Sequence, residues 1–555
     1  MTICDEEVFM KRKHILALIV VFMITQIPSF PVQEKVDYEM VSKIWEEGIN
    51  RSQAMPILSY LADVLGPRVP GSPQITAAYK WTVEKFEELG MSNAHMEPFG
   101  EFGLGWSNEY TSVHLRKPSY QPIIAYPVPW TSSTDGKIVG LPVLVSIKSE
   151  EDVVQYKGKL KDAIVLISPP RKALPTFTAS AERLGAMGLD KLKEAPIPIK
   201  PEGEIDIPPL ELWDKLEAFF RSEGVAVLVE SSESSRRDYG TVRVDAYKGK
   251  GWLPQKPRQN PRIVMAAEHY ARICRILDHG VPVELEIEIK NEFYDEDLLG
   301  YNVIAEIPGT DKKDEVVMLG GHIDSWSGGT GAVDNAAGCT IVMEAMRILK
   351  ALGVRPRRTI RGALWGSEEQ GLLGSRGYVA KHFGDTDIKS MAELDYFEIV
   401  ANPKKYWRNV LAGSSKLELK PDYAKLSAYY NYDNGSGRIR GVYLQENSAV
   451  QPIFEEWIKP LHDLGVSTLV FQETTGSDHL AFDYLGLPGF QFIQDPLDYG
   501  TKTHHTNMDL YDHCVPEDII QSAIVMACFV YHTAMRDEML PRKPLPKVGG
   551  DNTGE

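Results

Sequence analysis

The chain has 555 residues, 43% of them apolar and 25% charged, with a formal net charge of -17. That length exceeds one ordinary hydrophobic core, so about two or three domains are expected, and the composition is that of a folded globular protein. The acidic balance excludes a general nucleic-acid binder, which needs a basic surface against phosphate.

At the N-terminus, Lys11, Arg12 and Lys13 precede an apolar stretch from Ile15 to Ile24, the layout of a signal peptide. Residues 10–35 are read as a signal peptide or an N-terminal anchor. The protein is expected to be exported (periplasmic, secreted or membrane-anchored), with membrane association through this apolar segment. Five cysteines, Cys4, Cys274, Cys339, Cys514 and Cys528, form no CxxC and outline no disulfide framework.

Apolar residues at helical spacing over 37–66 predict a helix, with Ile44, Leu58, Leu61 and Leu65 on the buried stripe. GPRVPGSP (66–73) breaks it, and a second amphipathic helix runs over 77–89. Strands follow at 94–99 and 110–115. Between about 126 and 295, short strand candidates (138–145, 163–167, 225–229, 262–266 and 281–289) alternate with turns and with modest helices at 176–186, 210–223 and 268–278. This texture reads as a β-rich domain inserted into another. From 296 to 540 a βα rhythm returns. Strands are expected at 302–307, 316–319, 359–365, 426–432, 468–472 and 489–493, and helices at 336–350, 377–382, 449–464, 479–484 and 516–537. Residues 385–425 are a polar excursion, and the Pro- and Gly-rich tail at 541–555 is expected to be disordered. Residues 37–125 and 296–540 thus make one discontinuous α/β domain, a mixed, mostly parallel sheet flanked by helices.

Five places in that domain end a strand or open a helix with a carboxylate or an imidazole: His322, Asp334, Glu368-Glu369, Asp433 and His504-His505. An open α/β sheet gathers such positions at the carboxyl edge of its strands. Each has a bland reading. His322 alone fits a satisfied core histidine, Asp334 a helix cap, and Asp433-Asn434-Gly435 a turn. Glu368 and Glu369 follow the apolar strand ALWG after a single serine, where two charges are costly unless paired or metal-bound. Together the bland account needs five coincidences. Imidazoles and carboxylates from separate segments instead form the mixed nitrogen and oxygen shell that suits two borderline divalent ions.

The segments HIDSWSGGTGAVDNAAG, WGSEEQGLLGS, NYDNG and HHTNMD, in that order, resemble the zinc-dependent peptidases of family M28, over about 37–125 and 296–540. The β-rich insertion resembles a protease-associated (PA) domain. The resemblance implies two divalent metal ions, zinc foremost, with Asp334 bridging both. His322 and Asp433 would complete one ion and Glu369 and His505 the other, although which histidine pairs with which acid is open in the sequence. Glu368 would be the general base, and Asp324 the acid that orients a ligand histidine. The third carboxylate departs from the usual family spacing. Asp395 stands nearer to the glutamate pair, but Asp433 ends a continuous apolar run and is preferred.

The implied activity is a metal-dependent exopeptidase acting on small peptides, with an aminopeptidase favoured from family frequency and a dipeptidase or carboxypeptidase as the alternative. A catalytically inactive, receptor-like binding ectodomain is a rival, and so is a one-zinc cyclase on the same fold. Both are disfavoured by the complete set of five ligands and the base. Tyr499 and His479 are candidate donors to the oxyanion. Asp478, Asp483, Arg376 and Arg438 are candidates for holding a charged chain end. The resemblance also implies pairing into a homodimer.

Overall fold

The computed structural model describes residues 34–171, 175, 177–194, 210–232, 239–386 and 416–545. The N-terminal segment at 10–35 lies outside these except for its last two residues. The described residues from Asp37 onward cluster as one compact unit.

Eight strands form the central sheet: β1 (Ser92–Glu101), β2 (Leu299–Ile307), β3 (Lys312–His322), β4 (Arg358–Trp365), β5 (Leu426–Asn431), β6 (Ile439–Tyr443), β7 (Thr468–Val470) and β8 (Gly489–Gln494). Their order across the sheet is β1-β2-β4-β3-β5-β8-β6-β7. The middle four, β4, β3, β5 and β8, are mutually parallel, whereas β2 is antiparallel to both of its neighbours and β6 to β8. Val316–Leu319 of β3 and residues 428–430 of β5 are apolar runs because both faces of the strands are covered there.

Helices α1 (Tyr38–Arg51), α2 (Pro73–Glu88), α3 (Ala337–Ala351), α4 (Leu373–His382), α5 (Gln451–Ile458), α6 (His479–Asp483) and α7 (Pro516–Met535) flank this sheet. On one face, α4 and α6 pack Tyr378, Val379 and Phe482 against Met318, Trp365 and Tyr429. Phe529 of α7 meets Tyr430 of β5 and Phe492 of β8 edge-on. Ser72 caps α2 by accepting a hydrogen bond from Ile75 N, with Pro73 at the first helical position.

Membrane association through the N-terminal apolar segment is corrected here. Among the described residues, the helix long and apolar enough to span a membrane is α7, near the C-terminus, and 89% of its apolar window is buried. Its apolarity all round reflects burial against α1, α3 and the sheet.

The residues between the two parts of the central sheet build two further sheets. A four-stranded one pairs Gly105–Lys117 with Glu284–Tyr294, flanked by Gln121–Pro122 and Ile138–Gly140. A five-stranded one contains Ala125–Pro127, Arg262–Met265, Val227–Ser231, Ile164–Leu166 and Pro142–Leu144. The strand expected at 138–145 is therefore divided between two sheets. Pro142 has no N–H to continue a ladder, and the chain changes sheet there. The helix expected over 176–186 instead begins at Ala186 and runs to Glu194. Residues 180–184 lie outside any helix and are bonded to a loop of the central domain.

Candidate active site

Parallel registry brings the polar strand ends together. His322, the last residue of β3, is level with Trp365 of β4, and Gly320 with Asn431 of β5. Glu368-Glu369 and Asp433 thus emerge beside His322, at the carboxyl edge. Asp334 lies in the loop between β3 and α3, with an extended backbone (φ -127°) and a cis peptide to Asn335. Asn335, not Asp334, caps α3, accepting from Gly338 N at 2.9 Å while donating to Tyr432 O at 2.9 Å. Gly338 permits this closeness, since a Cβ there would lie 2.4 Å from both Asn335 Oδ1 and Tyr432 O. His505 sits in the left-handed region at φ 59°, just after the turn Tyr499–Thr503.

Asp334 faces two ways. Its Oδ1 lies 3.2 Å from His322 Nε2, which is also 3.4 Å from Asp433 Oδ1. Its Oδ2 lies 3.5 Å from His505 Nε2, which is 3.0 Å from Glu369 Oε2. Ligand atoms of His322, Asp334 and Glu369 all fall within 4.8 Å of one another, and so do those of Asp334, His504 and His505. His504, the other histidine of the HHTNMD segment, therefore borders the site, its ring 3.8 Å from that of His505. Asp395 lies outside the described residues.

Electrostatics follow from crowding. Asp334, Glu368, Glu369 and Asp433 are all buried. Burial, with the Asp433, Asp478 and Glu369 charges, outweighs the opposing His322 and holds the Glu368 carboxyl well above its usual range. Burial and neighbouring Asp334 do the same for Glu369. Burial opposes a charged His322, but Asp433 and Glu368 outweigh it and hold its imidazole well above the ordinary value. Asp433 is held below its usual range, burial being outweighed by His322. Glu369 Oε1 is buried with no hydrogen-bond partner. Buried acids this close are expensive without cations. The donor set, nitrogen and oxygen around a shared carboxylate, fits two divalent ions.

Supporting residues hold this edge in place. The Asp324 carboxylate accepts from Glu368 N (3.0 Å) and Glu369 N (3.3 Å). Its carboxylate is 3.6 Å from His322 Nδ1, and the backbone carbonyl of Asp324 is the nearer partner at 3.1 Å. Asp509 accepts from Val333 N at 2.6 Å, anchoring the loop ahead of Asp334. Tyr499 donates to Asp334 Oδ2 at 3.1 Å. His479 turns its Nε2 to Thr474 O at 3.1 Å and is fully buried. Of the candidates for a chain end, Asp478 is fully buried, Asp483 pairs with Lys543, Arg438 with Asp518, and Arg376 bonds Gly371 O.

Arg68 was missed in the sequence, where it is one charge inside a Pro- and Gly-rich break. Fully buried, it donates to Ile323 O (2.6 Å), Leu61 O (3.0 Å), Thr330 O (2.9 Å) and Gly331 O (2.8 Å), gathering the loop between His322 and Asp334. Arg68→Met leaves those carbonyls without donors. It is expected to lower stability by about 3 kcal/mol or more, measured as a shift of the urea midpoint. A loss under about 1 kcal/mol, the scale of an ordinary surface change, would contradict this role.

The fold and the paired clusters define a class: this is a co-catalytic metallopeptidase. Residues 302–418 and 408–530 match the family model described as peptidase family M28. Along nearly its whole length the chain is similar to Carboxypeptidase Q of Mus musculus, 23% identical over 519 residues, 92% of each chain. A Streptomyces exfoliatus protein, Leupeptin-inactivating enzyme 1, is 31% identical over 191 residues, 34% of each chain. Among solved structures, a peptidase M28 precursor from Shewanella amazonensis superposes with TM-score 0.62 at 22% identity, covering 92% of this chain and 98% of the other. A zinc aminopeptidase from Bacillus subtilis gives TM-score 0.52 at 16% identity, covering 87% and 95%. These two likenesses show the fold, an α/β/α sandwich of the M28 peptidase kind.

Proposed function

We propose that the protein is a zinc-dependent exopeptidase of short peptides, and that it recognises the free carboxyl end, as a carboxypeptidase or dipeptidase. The observation that carries the two-metal part is the division of Asp334, one oxygen toward His322 and Asp433 and the other toward His505 and Glu369. In this reading His322, Asp433 and Asp334 hold one ion, and Glu369, His505 and Asp334 the other. When bound, such ions polarise the scissile carbonyl and acidify the attacking water.

The chain's own groups do the rest. Glu368 takes a proton from water as its oxygen bonds to the carbonyl carbon, and returns it to the amine nitrogen as the C–N bond breaks. Asp324 holds the backbone of the glutamate pair, so the base and the adjacent ligand move together. Tyr499, half-buried beside Asp334, is the donor proposed for the developing oxyanion.

Two facts support the carboxyl end. The similarity to Carboxypeptidase Q spans both chains almost fully. The guanidinium of Arg243, held by Asp245 at 2.7 Å, stands 3.5 Å from His505 Nδ1, and guanidinium suits a carboxylate. The aminopeptidase expectation makes the opposite forecast. Dipeptides and tripeptides with an acetylated N-terminus should still be cleaved, and those with an amidated C-terminus should not. Cleavage that survives amidation and stops on acetylation selects the aminopeptidase. Activity lost to a chelator and restored by zinc tests the metal.

Residues 126–295 are taken as the PA-like insertion because they supply almost all of the five-stranded sheet, although the four-stranded sheet beside it also draws Gly105–Lys117 and Gln121–Pro122 from before that bound. Export is proposed from the basic and apolar N-terminal pattern. Activity confined to the cytosolic fraction would refute it.

A further inference from the structure

Residues 180–184, within the inserted segment, run along the loop from Asp495 to Thr501 that leads into His504 and His505. Three successive points of that loop are held. Arg183 donates to Asp495 (3.0 Å) and to Asp518 of α7 (2.7 Å), and Leu184 N donates to Asp495 Oδ1 (3.0 Å). Glu182 N donates to Leu497 O (3.0 Å), and Thr501 Oγ1 to Ser180 O. Arg440 ties the arm back to the sheet through Leu184 O (2.6 Å) and Asp495 Oδ1 (2.9 Å).

Asp495 and Asp518 are both fully buried, and Arg183 reaches them from the solvent side. Arg438 and Arg440 supply the other cations. Beyond Arg183, Leu184, Leu189 and Leu192 pack against Tyr443, Val470 and Ile493. The arm is thus anchored at both an ionic and an apolar point. The loop it laces carries Tyr499, bonded to Asp334, and ends at His505, which faces Glu369.

We propose that this arm positions the His505 half of the site, with Arg183 the positioning residue that acts through Asp495 and the loop to His505 and Tyr499. The inference rests on the two-metal reading above. A displaced His505 loosens only the ion it shares with Glu369, and leaves the His322–Asp433 ion in place. Outer partners of metal ligands are typically worth about 10- to 100-fold in metal affinity or activity.

The test is titration of metal-free protein with cobalt(II), followed by visible absorption and by competition with a chelator. Wild type is expected to take two equivalents. In Arg183→Ala one equivalent should weaken by about tenfold while the other holds, kcat should fall with KM little changed, and Arg183→Lys should recover part of the loss. Since alanine also leaves two buried acids short of a cation, Thr501→Val provides a second variant. It removes the hydroxyl's bond to Ser180 O and a longer one within the loop, to Asp498 O at 3.3 Å, leaves the buried acids their cations, and should weaken the same equivalent. If both variants bind two equivalents as wild type does, or if both equivalents weaken alike, the arm does not position the site. A wild type that takes fewer than two equivalents refutes the two-metal reading, and the arm proposal falls with it.

Discussion

Glu368→Gln is expected to abolish most turnover while leaving the protein folded, loaded with metal and able to bind peptide. Glutamine keeps the size and polarity of the side chain but cannot take the proton from water. A positioned base contributes about 10²- to 10⁴-fold, and the fall in kcat should lie in that range with KM nearly unchanged. Isosteric replacement is essential here because Glu368 is buried against Asp433, Asp478 and Glu369, so a smaller residue would open a void. The neighbouring Glu369→Gln should differ in kind, lowering metal content first and turnover as a consequence. Metal analysis beside steady-state kinetics separates the two. Near-normal turnover in Glu368→Gln with both metals present would show that the proton is carried by another group.

Asp334→Asn should be the most damaging change to metal binding. Asp334 presents one oxygen to each half of the site, and the amide keeps one acceptor while turning an NH2 donor toward the other half. At least one ion should be lost, and turnover should fall by more than the roughly 100-fold upper value for outer partners of a ligand. Asp433→Asn should cost only the ion facing His322, and Asp395→Asn none. Metal content measured after dialysis distinguishes these patterns. Two ions retained by Asp334→Asn would remove it from the bridging role, and loss of metal in Asp395→Asn would move the third carboxylate there.

The chemistry of the site was legible in the chain because it is carried by residue types next to strand ends. An apolar run ending in Gly-Gly-His, a buried strand ending in Glu-Glu and another ending in Asp each signal a polar group at a sheet edge, whatever the rest of the molecule does. Strand and helix periods located most elements from 296 onward for the same local reason. α7 illustrates the limit of that reasoning. Its composition alone suits a membrane span, and only its burial against the sheet identifies it as a core helix.

Tertiary structure decided everything that depends on distance between segments. Parallel registry of β3, β4 and β5 makes their ends neighbours, so that His322 faces Asp433, and the loop after β8 brings His505 against Glu369. Asn335 rather than Asp334 caps α3, which leaves the aspartate free to turn inward, a choice made by the approach of Tyr432. Arg68 and Arg183 carry no local signal at all, being single arginines in irregular chain. Apart from Leu61, near Arg68 in the chain, their partners lie 255 to 335 residues away in sequence, so only the folded chain could show what they hold.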